Sequence, residues 1–161
     1  MKFIGLDIGT TSITGLVYSL EHKMVLCSIT EECDTAVTVD HQEWERLQDP
    51  EVICESIVRM LEELLKTEED VMGIGLTGQM HGIVYTDGNG QHVSPLYTWQ
   101  DGRAALPCDG GITYAEKLRI LTGYSIPPGY GLATHYYNLQ QDLVPAGPSA
   151  SAPLPIMLPS G

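Results

Sequence analysis

The opening of the chain alternates short apolar runs with turn-forming segments, a pattern typical of β-strands. Residues 3–6, 12–18 and 24–30 are rich in apolar or β-branched side chains. Glycines lie around the first join, and the polar segment 21–23 makes the second. Because short connections of this kind favour hairpins, the pattern predicts an antiparallel meander of three strands.

The segment that follows has the apolar spacing of a long helix with one buried face. Asp49 is the expected N-cap, and Pro50 stands at the first helical position, where a missing N–H group costs least. Apolar side chains then recur three or four positions apart, as they do along one face of a helix. The spacing predicts that the core-facing residues are Ile53, Ile57, Leu61 and Leu64.

Farther along, the pattern indicates a second group of strands. Residues 71–76 are apolar or glycine throughout, which predicts a buried strand. Residues 83–86 and 93–96 predict two more strands, because the Asp-Gly-Asn-Gly segment at 87–90 between them is a strong turn signal.

Two further helices are expected. Thr113 and Glu116 have the spacing of a capping box, which predicts a short helix that runs through Leu121 and stops at Gly123. Residues 132–141 predict another helix.

Composition and charge exclude several classes of protein. The 161 residues include 21 acidic and 8 basic side chains, giving a formal net charge of −13. Nucleic-acid binding needs clustered Lys and Arg, so we expect no nucleic-acid partner. No apolar run approaches the ~20 residues of a membrane span, and the N-terminus lacks a signal-peptide core, so we expect no membrane partner. The cysteines form no close pair, which favours inert, reduced thiols and a cytoplasmic location.

The end of the chain differs in composition from the rest. Residues 144–161 are packed with Pro, Ala, Ser and Gly and contain no charged side chain. This composition predicts a disordered tail; the alternative is that the segment results from a truncation or a reading-frame error. We therefore expect one partial domain over residues 1–143 and a separate tail over residues 144–161.

The richest chemistry lies at the first predicted turn. Asp7 ends a strand, Gly9 makes the turn, and Thr10, Thr11 and Ser12 offer three hydroxyl groups. Successive amides and hydroxyls in a glycine turn can donate to phosphate oxygens, and a carboxylate can hold hydrated Mg²⁺. An ordinary β-hairpin with Thr and Ser in strand positions explains the same composition. The Walker and dinucleotide-binding glycine patterns are absent from the sequence.

Three segments resemble motifs of known kinases. Residues 7–11 resemble the first phosphate motif of the actin-like, ribonuclease H-like kinases. Residues 75–82 resemble the sugar motif of the FGGY carbohydrate kinases, and residues 97–103 resemble the Trp-x-Asp-x-Arg segment that follows it there. The resemblance spans roughly residues 1–143 and implies an α/β fold: an incomplete ribonuclease H-like (actin-like ATPase) domain with a mixed sheet and flanking helices. The Met-His pair favours the ketose branch, such as xylulose or sedoheptulose kinases, over the glycerol branch.

The same resemblance implies ATP and Mg²⁺ as cofactors and a small-molecule sugar as the substrate. Asp7 would organise Mg²⁺, and the residues that would cradle the ATP phosphates are Gly9, Thr10, Thr11 and Ser12. The residues implied for the sugar side are Gln79, Met80, His81, Trp99, Asp101, Arg103 and Tyr130. Thr14 stands where some members have a basic residue. The family's general base, an aspartate near the end of the first domain, has no counterpart in this sequence, and the resemblance allows a homodimer of the full-length form.

The sugar-side residues also have purely structural explanations. Residues 79 and 80 suit ordinary strand-end packing, His81 alone suits a satisfied, half-buried histidine, and Trp99 alone suits a core or a partner surface. Asp101 and Arg103 together suit a surface ion pair worth ~0–1 kcal/mol. Their clustering in two short segments, together with the resemblance, favours a site for a sugar with many hydroxyls.

Two hypotheses of different class follow. In the first, the chain belongs to an ATP-dependent carbohydrate kinase that transfers the γ-phosphoryl group to a ketose, and it is incomplete here. In the second, it is a non-catalytic remnant or sugar-binding module that lacks the base and the nucleotide lobe. A third hypothesis is an actin-like assembly or chaperone ATPase. It explains the Asp7 turn but leaves residues 79–82 and 99–103 unexplained.

Overall fold

The computed structural model describes residues 1–33, 35–37, 42–146 and 150–152, the last of these ranges by its backbone alone. The chain divides into two compact units. The first unit comprises Met1–Thr35 and Glu51–Gln79, and the second comprises Ala36–Pro50 and Met80–Gly161.

The chain forms strands, three α-helices and a 3₁₀ turn within its described residues. In order, the strands are β1 (Lys2–Ile8), β2 (Ser12–Ser19), β3 (Met24–Glu32), β4 (Leu47–Gln48), β5 (Val71–Gly78), β6 (Val84–Thr86), β7 (Leu96–Tyr97) and β8 (Ala150–Ala152). The helices are α1 (Pro50–Thr67), α2 (Tyr114–Thr122) and α3 (Gly131–Gln140), with a 3₁₀ turn at Arg103–Ala105.

The first unit is built on a four-stranded mixed sheet in the order β3-β2-β1-β5. Strands β1, β2 and β3 form the predicted antiparallel meander, and β5 lies parallel to β1. Successive side chains of a strand point to opposite faces. On one face of β1 and β2 the buried apolar side chains are Ile4, Leu6, Ile8, Ile13 and Val17.

Helix α1 packs on this sheet. A Cβ added at Gly15 of β2 would lie 2.8 Å from both Leu64 Cδ1 and Met60 Sδ, so side chains of α1 reach the sheet directly. The helix begins at Pro50 as predicted, and its buried residues are Ile53, Ile57, Met60 and Leu64. The prediction of Leu61 in this stripe is wrong, because at 100° per residue Met60 falls within the stripe and Leu61 lies to one side of it, half-buried.

Strand β5 forms where the sequence predicts it, but it is not buried. Met72 is 67% exposed and Ile74 is 48% exposed. Within the described residues β5 is the end strand of the sheet, and α1 packs over β2, two strands away. The strand is therefore predicted correctly, but its predicted burial is wrong. An apolar run indicates that a strand forms, but it does not indicate which neighbours cover that strand.

The second unit contains short strand pairs. Strand β4 pairs antiparallel with β7, and β6 forms within the predicted range 83–86. The predicted turn at 87–90 follows β6 and is closed by a backbone hydrogen bond of 3.1 Å from Gly90 N to Asp87 O. The predicted strand at 93–96 is wrong in extent, because regular pairing begins only with β7. Pro95 lies in this range and has no N–H group for a ladder.

Helices α2 and α3 lie where the sequence predicts them to within a residue. Helix α2 begins after Thr113, whose hydroxyl accepts a hydrogen bond from the N–H group of Glu116 at 3.1 Å. It ends at Gly123, which has a φ of 76°. Glycine adopts this left-handed conformation without the steric cost of a Cβ atom.

Among its described residues, the second unit has two clusters of buried side chains. One contains Ile83, Tyr85 and Tyr97, and the other contains Ala104, Leu118 and Ala133.

Strand β8 pairs antiparallel with β6. Residues 147–149 and 153–161 lie outside the described residues, so a domain over 1–143 with a separate tail over 144–161 stays a prediction. None of the described helices is long and apolar enough to cross a membrane.

Candidate functional site

The predicted phosphate turn lies in the first unit, at the end of β1. Asp7 is exposed and is paired across the sheet with Thr14 on β2 and Thr77 on β5. The N–H group of Gly9 donates to the carbonyl of Ser12 at 2.9 Å, which closes the turn. A Cβ at Gly9 would lie 2.8 Å from this same oxygen. The turn therefore requires glycine at this position.

Gln79 lies beside the phosphate turn. Its N–H group donates to the carbonyl of Ile8 at 2.9 Å, and the hydroxyl of Thr10 donates to its Oε1 at 3.2 Å. Thr11 is exposed and Ser12 is half-buried. The structure thus brings Gln79, which the resemblance implies for the sugar side, together with the residues implied for the phosphates.

The turn at residues 7–12 offers one carboxylate, that of Asp7, as a ligand for a metal ion. Among the described residues, no group of three or more His, Cys, Asp or Glu side chains could hold a metal ion. Mg²⁺ usually keeps several waters and uses one or two carboxylates, so the exposed Asp7 suits it without such a group. Thr14 offers no positive charge to a phosphate, and its hydroxyl lies 3.0 Å from that of Thr30 on β3.

In the second unit, the structure brings together His81 and Tyr130. Their rings stack with centroids 3.9 Å apart and planes 7° from parallel. The φ angle of His81 is 70°, which is uncommon for a residue other than glycine. The N–H group of Gly131 donates to the carbonyl of His81 at 2.6 Å and holds this backbone in place. The start of α3 therefore positions both the ring and the backbone of His81.

A cavity of about 400 Å³ lies beside the stacked pair. Its lining includes the apolar side chains of Ile83, Ile126 and Leu132 and the rings of His81, Tyr130 and His135. A mostly apolar cavity with a few polar groups is the usual form of a site for a small molecule.

Trp99 and Met80 are both exposed, at 49% and 66%. Gly129 packs so closely against the carbonyl of Trp99 that a Cβ at this position would overlap it. Since Gly129 precedes Tyr130, this contact brings the Trp99 segment to the loop that carries the stacked pair. Sequence analysis missed Gly129, which the motifs do not include.

Asp101 and Arg103 are buried inside the second unit. Arg103 donates from Nε to Oδ1 of Asp101 at 2.6 Å and from Nη2 to Oδ2 at 3.2 Å. The N–H group of Arg46 also donates to Oδ2, at 3.1 Å. The guanidinium carbon lies 4.2 Å from the ring centroid of Tyr97, and burial raises the pKa of this tyrosine. The two side chains thus form a buried ion pair, and not the surface ion pair that the sequence suggested as an alternative.

A chain of hydrogen bonds leads from Arg103 to the cavity. Nη1 of Arg103 donates to Oδ1 of Asn138 at 2.8 Å, and Nδ2 of Asn138 donates to the hydroxyl of Tyr85 at 3.2 Å. That hydroxyl lies 2.9 Å from Nδ1 of His135. Sequence analysis missed these residues because they lie far apart in the chain. The available signal was the position of Asn138, four residues from Thr134 on the buried stripe of α3.

Comparisons with known proteins show the family to which the chain belongs. Residues 2–134 match the sequence model of the FGGY family of carbohydrate kinases, N-terminal domain. The chain belongs to this family. It is 30% identical over 130 residues to the xylulose kinase of Escherichia coli (strain K12), covering 80% of this chain and 26% of that protein. It is 29% identical over 160 residues to the sedoheptulokinase of Mus musculus, covering 85% of this chain and 32% of that protein.

The chain therefore spans about a quarter to a third of the length of these relatives. Among solved structures, a xyloylose kinase from Brucella ovis matches with a TM-score of 0.72 at 25% identity, covering 88% of this chain and 30% of that chain. The ligand-bound xylulose kinase from Lactobacillus acidophilus matches with a TM-score of 0.68 at 19% identity, covering 88% and 29%. The α/β, ribonuclease H-like (actin-like ATPase) fold implied by the motifs is confirmed.

Proposed function

We propose that this chain provides the phosphate turn and the sugar cavity of an ATP-dependent kinase that phosphorylates a ketose, such as xylulose or sedoheptulose. The observation that carries the proposal is the stacked pair of His81 and Tyr130 beside a cavity of about 400 Å³, in a member of a carbohydrate kinase family. The similarity to a xylulose kinase and a sedoheptulokinase favours a ketose over other sugars.

The sugar side acts by binding and orientation. The rings of Trp99 and Tyr130 offer apolar faces to the carbon skeleton of a sugar, and the imidazole of His81 offers a donor or an acceptor to its hydroxyls. Asp101 and Arg103 are buried. Their proposed role is to hold in place the segment that begins at Trp99. Met80 adds an adaptable apolar side chain beside His81.

On the phosphate side, Asp7 would hold hydrated Mg²⁺, and the turn at 9–12 would hold the ATP phosphates through its N–H and hydroxyl groups. When bound, Mg²⁺ neutralises the charge that develops on the transferred phosphoryl group. Transfer also needs a base that accepts the proton of the sugar hydroxyl, and in this proposal the base lies outside these 161 residues. A cytoplasmic location and a homodimer of the full-length form belong to the same proposal.

Calorimetric titration of the purified chain with MgATP and with D-xylulose, D-ribulose and sedoheptulose tests the proposal. We expect saturable binding of MgATP and of at least one ketose, with weaker binding of glycerol. Asp7→Asn should weaken MgATP binding and leave ketose binding unchanged, because its carboxylate is assigned to Mg²⁺. Asp109→Asn removes an exposed carboxylate of the second unit and serves as the matched control. An MgATP affinity that Asp7→Asn does not change would contradict the role of Asp7.

A non-catalytic sugar-binding module is the second candidate, favoured by the lack of a segment like the family's base motif around Asp109 or Asp142. This candidate predicts ketose binding without MgATP binding. Saturable MgATP binding by the purified chain, weakened by Asp7→Asn, would refute it.

A further inference from the structure

Five side chains of the second unit form a continuous hydrogen-bonded chain that ends at the cavity. In order they are Asp101, Arg103, Asn138, Tyr85 and His135. The first four are buried, and His135 lines the cavity. The donors and acceptors along this chain together determine which nitrogen of His135 carries a proton.

Arg103 fixes the orientation of the Asn138 amide. A guanidinium group has only donors, so the Asn138 atom that faces Nη1 at 2.8 Å must be the oxygen, Oδ1. The amide nitrogen then faces the hydroxyl of Tyr85 at 3.2 Å, and this nitrogen can only donate. The oxygen of Tyr85 is therefore the acceptor in that bond.

The direction of the bond from Asn138 to Tyr85 decides the direction of the bond between Tyr85 and His135. A bond from Nδ1–H of His135 to the Tyr85 oxygen would leave the Tyr85 proton with no acceptor among the described residues, whereas donation of that proton to Nδ1 at 2.9 Å satisfies both groups. Nδ1 is then an acceptor, and the neutral imidazole carries its proton on Nε2. Burial raises the pKa of Tyr85, which keeps the proton on the hydroxyl at neutral pH.

Nε2 is the ring nitrogen of His135 that Tyr85 does not hold, and His135 lines the cavity. Nδ1, on the other side of the ring, is held by the buried Tyr85. Within the described part of the chain, the structure gives Nε2 no hydrogen-bond partner. The ring lines the cavity together with His81 and Tyr130, so a donor at Nε2 would stand in the same cavity as the stacked pair.

We propose that His135 contacts the ligand of this cavity and donates a hydrogen bond from Nε2–H to a hydroxyl or carbonyl oxygen of a polyhydroxylated molecule. Tyr85 acts as a positioning residue, because its hydroxyl fixes the tautomer and the orientation of the imidazole. The identity of the ligand as a sugar rests on the proposed function, whereas the assignment of the donor rests on the hydrogen bonds alone.

Two-bond ¹H–¹⁵N NMR correlation spectra of the purified chain, labelled with ¹⁵N-histidine, test the donor assignment without any ligand. We expect the pattern of the Nε2–H tautomer for His135. Tyr85→Phe keeps the ring and removes the hydroxyl, so His135 should become a mixture of both tautomers, a change that lost stability alone would not produce. An Nδ1–H tautomer in the unchanged chain, or a pattern that Tyr85→Phe leaves as it was, overturns the assignment.

Titration of the labelled chain with D-xylulose tests the contact itself. We expect a saturable shift of His135 Nε2, and we expect His135→Phe to weaken D-xylulose binding roughly 3- to 10-fold, the loss of one neutral hydrogen bond. His92→Phe changes an exposed histidine and is the matched control, expected to bind as the unchanged chain does. A saturable response that leaves His135 unshifted and its variant unweakened overturns this inference alone. A chain with no saturable response to any ketose overturns the proposed function, and the contact with it.

Discussion

Nε of Arg103 donates to Oδ1 of Asp101 across 2.6 Å, and the two residues are only 2% and 1% exposed. The same guanidinium lies over the ring of Tyr97 and donates to Asn138. Moving two charges out of water costs several kcal/mol per ion, and the pair is tolerated because each charge compensates the other. Removing one partner therefore leaves an uncompensated charge in the interior.

Arg103→Met should lower the free energy of unfolding by about 3–5 kcal/mol, because it leaves the Asp101 carboxylate buried and unpaired. Urea unfolding followed by circular dichroism measures this difference. Arg119→Met is the control, since Arg119 pairs with Glu116 at 2.7 Å while both side chains are exposed, and we expect little change there. Equal effects of the two substitutions would show that the Asp101–Arg103 pair is not buried as described.

The N-cap of α2 gives a second prediction. The hydroxyl of Thr113 accepts from the N–H group of Glu116 at 3.1 Å, so Thr113→Ala leaves that donor without its cap. We expect the free energy of unfolding to fall by about 1 kcal/mol and the melting temperature to fall by about 2–4 °C. Thr113→Ser keeps the hydroxyl and should melt close to the unchanged chain. A Ser variant as unstable as the Ala variant would show that the hydroxyl does not act as the cap.

Asp87 gives a prediction about pH. The backbone N–H groups of Gln91 and Asn89 donate to its Oδ1 at 2.9 Å and 2.8 Å and hold its pKa below the ordinary value of 3.8. A carboxyl whose pKa is lower in the folded state stabilises the fold above its unfolded pKa. That stability is lost as the pH falls through the folded pKa. Asp87→Ala should therefore lower the urea midpoint near neutral pH, and the difference should shrink below pH 3.8.

NMR titration of the Asp87 carboxyl carbon measures this pKa directly, and Asp109→Ala is the matched control because Asp109 is exposed. We expect Asp109→Ala to change the urea midpoint little, both near neutral pH and below pH 3.8. A midpoint difference for Asp87→Ala that is the same at acid and neutral pH would contradict the assigned cause.

The parts of the fold that the sequence predicts correctly are those set by neighbours along the chain. The meander follows from short strands and short turns, and the start of α2 follows from the spacing of Thr113 and Glu116. The burial of β5 depends instead on what packs against it, and Met72 is 67% exposed in spite of its apolar surroundings in the sequence. Period and composition carry no information about that packing.

In the candidate site, too, the sequence predicts the residues but not the contacts between them. The motifs identify His81 and the wider resemblance implies Tyr130, but no spacing predicts that their rings stack. Asn138 bonds to a residue 35 positions away, and His135 bonds to Tyr85, which is 50 positions away. Such pairs are brought together only by the tertiary fold, so a single sequence identifies the residue types and not their connections.

Gly129 gives the last prediction. Its Cα lies so close to the carbonyl of Trp99 that an added Cβ would overlap this backbone atom, and a backbone atom cannot move aside as the end of a flexible side chain can. Gly129→Ala should therefore displace the loop that carries Tyr130 and separate its ring from His81. We expect the free energy of unfolding to fall by about 1–3 kcal/mol, the usual cost of overpacking.

The indole N–H signal of Trp99 and the imidazole signals of His81 in NMR spectra report the displacement, and urea unfolding reports the stability. Gly75→Ala is the matched control, because a Cβ there would lie 3.9 Å from the Ile4 carbonyl, an ordinary van der Waals contact. Both signals should shift in Gly129→Ala and stay in place in Gly75→Ala. If Gly129→Ala leaves the His81 signals unchanged, then the contact between Gly129 and Trp99 does not position the stacked pair.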